Sequence, residues 1–335
     1  MHRIGRKLAQ VLIGVLAALA SVAAPLAQAT SEQVWTPGTP MPTPRSELAA
    51  AALRGRVYVA GGIAQLGTTT AFEAYDPALG SWEELPSLPE AVHHPAAAAM
   101  VDRLYIAGGY TDLGFSAMSR HAFAYDPEAR TWTAVADLPA PRAAHAMAVL
   151  PGKLYVVGGV GPGSEDVWVY DPATDRWDVL RAPLPTSREH LAVAVLDDKL
   201  LVVGGRWGDA GNLATLETYD PATGRWTRGR DMPTPRSGLT AGALAGRLHV
   251  TGGEALSSRD VFGKHEAYNP TTDRWTAGAD LPTPRHGLAS AVLGERWYVI
   301  GGGTRAGALT FISLTARSPV RRAEHFDARR ERDEG

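Results

Sequence analysis

Pro42-Thr43-Pro44-Arg45, then Gly61-Gly62, then Tyr75-Asp76-Pro77, then Trp82: this order of landmarks recurs, with small departures, along the whole chain. The glycine pairs open at Gly61, Gly108, Gly158, Gly204, Gly252 and Gly301. Sixteen residues before each stand Arg45, Val92, Arg142, Arg188, Arg236 and Arg285. Ten or eleven residues further back stand Trp35, Trp82, Trp132, Trp177, Trp226 and Trp275. A period near 48 residues, in a chain rich in glycine, aromatics and short apolar runs, is the signature of a β-propeller with one repeat per four-stranded blade. The expected fold is all-β, with six blades.

Within one repeat the strands can be read in turn. Residues 48–53 are small and apolar, as innermost strands converging on an axis must be. Residues 56–60 form a second strand that ends in Gly61-Gly62, where glycine permits positive φ and close approach. Tyr and Trp keep a gap of seven (Tyr75/Trp82, Tyr125/Trp132, Tyr170/Trp177, Tyr219/Trp226, Tyr268/Trp275). A constant gap implies a constant hairpin between strands three and four, its turn set by Asp-Pro or, once, Asn269-Pro270. These aromatics are read as packing between blades rather than as sugar-stacking residues.

The order Pro-x-Pro-Arg, Gly-Gly, Tyr-Asp-Pro, Trp resembles the kelch repeat, and the resemblance runs over residues 33–327. It implies the propeller fold but no single chemistry, since one fold hosts many functions. Ring closure is expected from the N-terminus: Trp35 has no repeat ahead of it, so residues 33–35 should supply the fourth strand of the last blade. The third strand of that blade is expected at 323–327, where Phe326-Asp327 stands for Tyr-Asp, with 328–335 a charged, solvated tail.

Residues 1–29 carry Arg3, Arg6 and Lys7, an apolar stretch over 11–19 and Ala27-Gln28-Ala29, the pattern of a secretory signal peptide. The domain expectation is thus 1–29 signal, 30–327 propeller and 328–335 tail, in an exported protein, periplasmic or secreted, with no membrane association after cleavage. The chain has no cysteine, so it has no disulfides and no lipidated N-terminus, and it cannot be a copper radical oxidase of the kelch type, which requires a Cys–Tyr cross-link. Removing 1–29 leaves 30 basic against 35 acidic residues, a net charge of −5 that argues against nucleic acid as a partner. A monomer is expected.

The segment from the glycine pair to the Tyr (or Phe326) varies between 11 and 24 residues, whereas the turns between strands one and two are short. Variable loops on a rigid scaffold mark the working face. On that face Arg45, Arg142, Arg188, Arg236 and Arg285 stand at strand-one entrances, with Val92-His93-His94 in blade 2. Two readings stand side by side: a converging receptor for a carboxylate or phosphate, or arginines that hold loop carbonyls and acids such as Glu47 and Glu189. The resemblance favours the first, since kelch domains of ubiquitin-ligase adaptors hold acidic peptides with arginines near these entrances.

His94, His145, His190 and His286 lie within three residues of those positions, and Arg206 and Glu254 follow glycine pairs. Glu254 is either a general base or an ion-pair partner of Arg236 or Arg285. No short-range ligand spacing supports a metal, the histidine offsets differ between blades, and the Glu-x3-Asp-x3-His iron motif of plant kelch proteins is not matched by Glu254, Asp260 and His265. No metal or cofactor is therefore expected. The leading reading is an exported binding module for an anionic small molecule, acidic peptide or glycan, with ligand residues Arg45, Arg142, Arg188, Arg236, Arg285, His94, His190, His286, Arg206 and Glu254. The rivals are an enzyme resembling the sialic-acid mutarotases among exported kelch propellers, and a structural scaffold for protein interaction.

Overall fold

Two middle strands covered on both sides and one outer strand open to water define each blade. The computed structural model describes residues 35–307 and 315–319. In blade 1, Ala49–Leu53, Arg56–Ala60, Phe72–Asp76 and Ser81–Glu84 pair in that order, all antiparallel. Residues 57–60 are all buried, because the neighbouring blades cover both faces of the sheet, so the strand reads as an apolar run instead of an alternation. Blades 2 to 5 repeat the meander, beginning at Ala96–Met100, Ala146–Leu150, Ala192–Leu196 and Ser237–Leu244. Hydrophobic side chains cluster in the seams between consecutive blades: Tyr58 and Phe72 meet Ile106 and Tyr125, and Val57 and Tyr75 meet Tyr298 and Ile300. The core is thus six seams around an axis.

The local rules hold in detail. Asp76 Oδ1 accepts from the N–H groups of Ala78 (2.9 Å) and Leu79 (3.2 Å), which folds the turn between strands three and four. Tyr75 and Trp82 are cross-strand partners with ring centroids 5.2 Å apart. Each blade tryptophan also donates its indole N–H to a carbonyl of the blade before it, as Trp132 does to Pro86 (2.9 Å) and Trp226 to Ala182 (3.0 Å). Gly61 and Gly62 sit at φ 62° and 108°. A Cβ on either would meet a backbone carbonyl, Val92 O or Ser46 O, at 2.6 Å.

Blade 6 takes Ala289–Leu293, Arg296–Ile300 and Thr315–Pro319 from the C-terminal part of the chain and Thr36–Pro37 from the N-terminal part. Closure by the N-terminal segment is as expected, but the expected third strand at 323–327 is corrected to Thr315–Pro319; residues 1–34 and 320–335, with the signal and tail assignments, lie outside the described residues. The aromatic has changed strands. In blades 1 to 5 the tyrosine opposes an aliphatic residue of strand two, as in Val57↔Tyr75 and Leu248↔Tyr268. In blade 6 the matching pair is Trp297↔Ser318, and fully buried Trp297 packs against Trp35 with ring centroids 5.7 Å apart and planes tilted by 50°. Thr315–Pro319 holds no aromatic residue, so the Phe326-Asp327 pattern in the sequence points past the strand. Trp35 donates to Ala279 O of blade 5 at 2.6 Å, completing the tryptophan series.

Candidate functional site at the axial mouth

The five strand-entrance arginines are inside the blades. Arg45, Arg142, Arg188 and Arg236 are 0% exposed and Arg285 is 1%. Arg45 donates to Glu73 Oε2 (2.5 Å), Thr43 O (3.1 Å) and Val59 O (3.1 Å). Arg188 pairs with Glu217 and donates to Thr215 O (2.8 Å), and Arg236 lies 3.0 Å from Glu266. Arg142 donates to Asp166 O (2.9 Å) and Gly163 O, with its guanidinium 3.4 Å from the centroid of the Trp168 ring. Arg285 donates to Val299 O (3.2 Å). Burial lowers Arg142, Arg236 and Arg285 to about 10. The expectation that these groups converge on an open anion pocket is corrected: they brace loops, because a buried guanidinium needs the carboxylates and carbonyls that surround it.

The repeat carried this signal. The partner lies two residues before the tyrosine: Glu73, Glu217 and Glu266 where the entrance is Arg, Trp168 opposite Arg142, and Phe123 in blade 2, where the entrance is Val92. Thr43, Thr186 and Thr234 hydroxyls donate to the same three glutamates at 2.6–2.7 Å, so the Thr-x-Arg motif belongs to this brace.

The axis is occupied by the residues just beyond the arginines. Two positions past each entrance stand Glu47, His94, Ala144, His190, Gly238 and Gly287, all at positive φ between 52° and 60°. Their backbones form a closed ring: Glu47 N donates to Gly287 O (2.7 Å), His94 N to Glu47 O (2.8 Å), Ala144 N to His94 O (3.1 Å), His190 N to Ala144 O (2.9 Å), Gly238 N to His190 O (2.9 Å) and Gly287 N to Gly238 O (2.9 Å). One position past each entrance stand residues bridged to those after the glycine pairs: His93 to Tyr110, Glu189 to Arg206, Ser237 to Glu254, and His286 to Gly303. The propeller's symmetry thereby gathers chemistry from five blades over a hydrogen-bonded floor.

The side chains above that floor are tightly coupled. His94 Nε2 lies 3.0 Å from Glu47 Oε2. His286 Nδ1 lies 3.4 Å from both Glu47 Oε1 and Glu254 Oε2, while its Nε2 faces Arg305 O at 2.9 Å. Arg206 pairs with Glu189 and with Glu254 Oε1 (2.9 Å) and places Nη2 3.3 Å from both ring nitrogens of His190. His190 Nδ1 contacts Glu189. Asn212 donates to Glu254 O (2.7 Å), and Gly307 N to Glu254 Oε2 (2.8 Å). Burial would raise the Glu47 carboxyl, but the His94 and His286 rings hold it well below the usual range. Burial would lower His286, yet Glu47 and Glu254 raise it above 6.5. Burial, then Arg206, push His190 well down, and burial, then His94, bring His93 to about 4.

Of the sequence-predicted residues, the structure thus assembles His94, His190, His286, Arg206 and Glu254 and leaves the five arginines elsewhere. Glu254 pairs with Arg206, not with Arg236 or Arg285. Glu47 and Glu189 join the site instead of bracing the strand-entrance arginines. Glu47, His94 and His190 each offer a ligand atom within 4.8 Å of the other two, so a metal-ligating set exists that short-range spacing could not reveal. A hollow of about 90 Å³ at the ring is lined by Glu47, His94 and His190 together with Leu48, Leu191, Leu239 and Leu288, room for an ion or one polar group. A larger groove of about 750 Å³, between blades 4 and 5, is lined by Lys199, Asp220, Arg225 and Tyr268. Its charged groups include solvent-facing ion pairs such as Lys199–Asp220 at 3.2 Å.

Comparison with known proteins agrees with this architecture. No curated protein matches the chain. A solved structure titled "Structure of YjhT" superposes with a TM-score of 0.72 at 19% identity, over 84% of this chain and 96% of that one, a likeness of fold. Residues 22–159 and 144–314 match the KLHDC2/KLHL20/DRC7 Kelch-repeats domain, and the chain therefore belongs to the kelch-repeat family.

Proposed function

We propose that this kelch propeller is a binding module whose ligand, a small acidic molecule such as an acidic sugar or the carboxylate of a peptide or glycan, seats at the axial mouth against Arg206 and the His286 ring. The observation that carries the reading is the convergence of Glu47, His94, His190, Arg206, Glu254 and His286 above the closed backbone ring. Arg206 offers the planar donor fork that suits a carboxylate, and its side chain is 21% exposed, unlike the buried entrance arginines. Glu47 and Glu254 supply acceptors for hydroxyl groups beside it. The N-terminal sequence supports export to the periplasm or beyond.

A thermal-shift screen against acidic sugars and carboxylates tests the reading, because a ligand that binds the native state raises the melting temperature. Arg206→Ala should abolish the shift, whereas Arg285→Met should preserve it in the folded fraction. A hit insensitive to Arg206→Ala overturns the proposal.

One observation supports a second reading, an acid–base catalyst of the mutarotase kind. His286 sits between two carboxylates and is raised above 6.5, which suits a proton donor to a sugar ring oxygen, with a glutamate as the receiving base. Faster mutarotation of free sialic acid with enzyme than with buffer, lost in His286→Ala, is the outcome that favours it.

A further inference from the structure

We infer that the axial mouth holds a divalent first-row metal ion, ligated by Glu47, His94 and His190. This rests on the axial mouth being the working site and names the component that gives it positive charge. The argument is one of geometry. His93 is 0% exposed, and its Nε2 lies 2.9 Å from Asp112 O. A carbonyl can only accept, so Nε2 of this ring donates to it. His93 Nδ1 lies 2.5 Å from His94 Nδ1, a hydrogen bond that fixes the orientation of the His94 ring. That orientation aims His94 Nε2 at a carboxylate oxygen, Glu47 Oε2, 3.0 Å away. A buried carboxylate against an imidazole nitrogen calls for a cation between them, either the ring's own proton or a metal ion held by both.

A similar arrangement recurs at His190. Its Nδ1 contacts the Glu189 carboxylate, while Arg206 Nη2 lies 3.3 Å from both ring nitrogens, so metal binding at Nε2 requires that guanidinium to swing aside. Both rings thus have an outer partner that orients them, His93 for one and Glu189 for the other, as ligating histidines characteristically do. Metal bonds of about 2.1 Å set neighbouring ligand atoms roughly 3.0–3.4 Å apart. The His94–Glu47 spacing is already 3.0 Å, and the three atoms lie within 4.8 Å, so small rotations of His190 complete the set.

Charge points the same way: three carboxylates, Glu47, Glu189 and Glu254, converge around the one guanidinium of Arg206, an arrangement that suits an added divalent ion. Two histidines and one carboxylate on one side of an ion, with open positions on the other, suit Zn²⁺ or Fe²⁺ better than Mg²⁺ or Ca²⁺.

Chelator-treated full-length protein, titrated calorimetrically with Zn²⁺ alone and with Co²⁺ read by visible absorption, tests the site. One ion per chain is expected, with a rise in melting temperature. His94→Ala and Glu47→Gln should weaken binding at least 100-fold, and Glu189→Gln by about 10–100-fold. His190→Gln, closer in shape, keeps the test available if an alanine variant misfolds, and should also lose the ion. Substoichiometric Zn²⁺, or an affinity unchanged in folded His94→Ala and His190→Gln, overturns the inference and leaves a proton on His94 as the bridging cation. Zn²⁺ bound at one ion per chain with no acidic ligand found in its presence sustains the metal site and sinks the ligand reading. An acidic ligand bound equally well by chelated, metal-free protein does the reverse.

Discussion

The Glu47 N–H donates to Gly287 O at 2.7 Å, and the Glu47 carboxylate fills the space that a side chain at 287 would need. One residue thus joins the first blade to the last and orients the acid of the axial site. Gly287 is also at φ 56°, where a Cβ is strained. Gly287→Ala should destabilise by about 1–3 kcal/mol and displace the Glu47 carboxylate. Denaturant unfolding with a parallel Zn²⁺ titration checks it; a variant with native stability and native metal affinity contradicts the packing described.

Ring closure depends on Trp35, 4% exposed between Trp297 and His265 and bonded to Ala279 O. Trp35→Ala should cost about 3–5 kcal/mol, and deletion of residues 30–37 should expose two sheet edges and remove cooperative unfolding. Differential scanning calorimetry and light scattering measure both. A monomeric deletion variant with unchanged melting would show that blade 6 closes without this strand.

The buried arginines should differ in cost according to their partners. Arg188→Ala strands the Glu217 carboxylate in the interior, a loss of about 3–5 kcal/mol. Arg285 has Val299 O and, among the described residues, no carboxylate, so Arg285→Met should cost markedly less. Equal losses in urea denaturation would mean that the carboxylate pairing carries no weight.

Acid should unfold this protein through its buried neutral histidines. Burial lowers His145 to about 3 and His249 and His265 to about 4, against 6.5 when unfolded. A group with a depressed folded pKa favours the fold when neutral; its contribution is complete above 6.5 and declines as pH falls toward 4. Near pH 5 each takes up about one proton on unfolding, a slope of about 1.4 kcal/mol per pH unit per residue. His286 runs the other way: raised in the fold, its contribution is full below 6.5 and lost as pH climbs through its folded value. Melting temperature should therefore fall steeply from pH 6.5 to 4.5 and less so on the alkaline side, and a flat acid limb would contradict the assignment.

Six blades, the strands of the first five, the Tyr–Trp hairpins and closure from the N-terminus follow from spacing, because each is set by contacts within one repeat or by a turn of fixed length. The brace was legible too, had Arg188 been aligned with Glu217 and Val92 with Phe123 across the repeats. The same alignment places Glu47, His94 and His190 in one register, two residues past their strand entrances, yet register does not say which side chains point inward or how far apart they are. Tertiary structure alone decided that the arginines are sealed in the blades, that Trp297 takes the place of a missing tyrosine, and that Glu47, His94 and His190 meet at the axis. The physical reason is that repeat spacing records interactions along the chain, whereas burial and ligand geometry arise where separate blades converge.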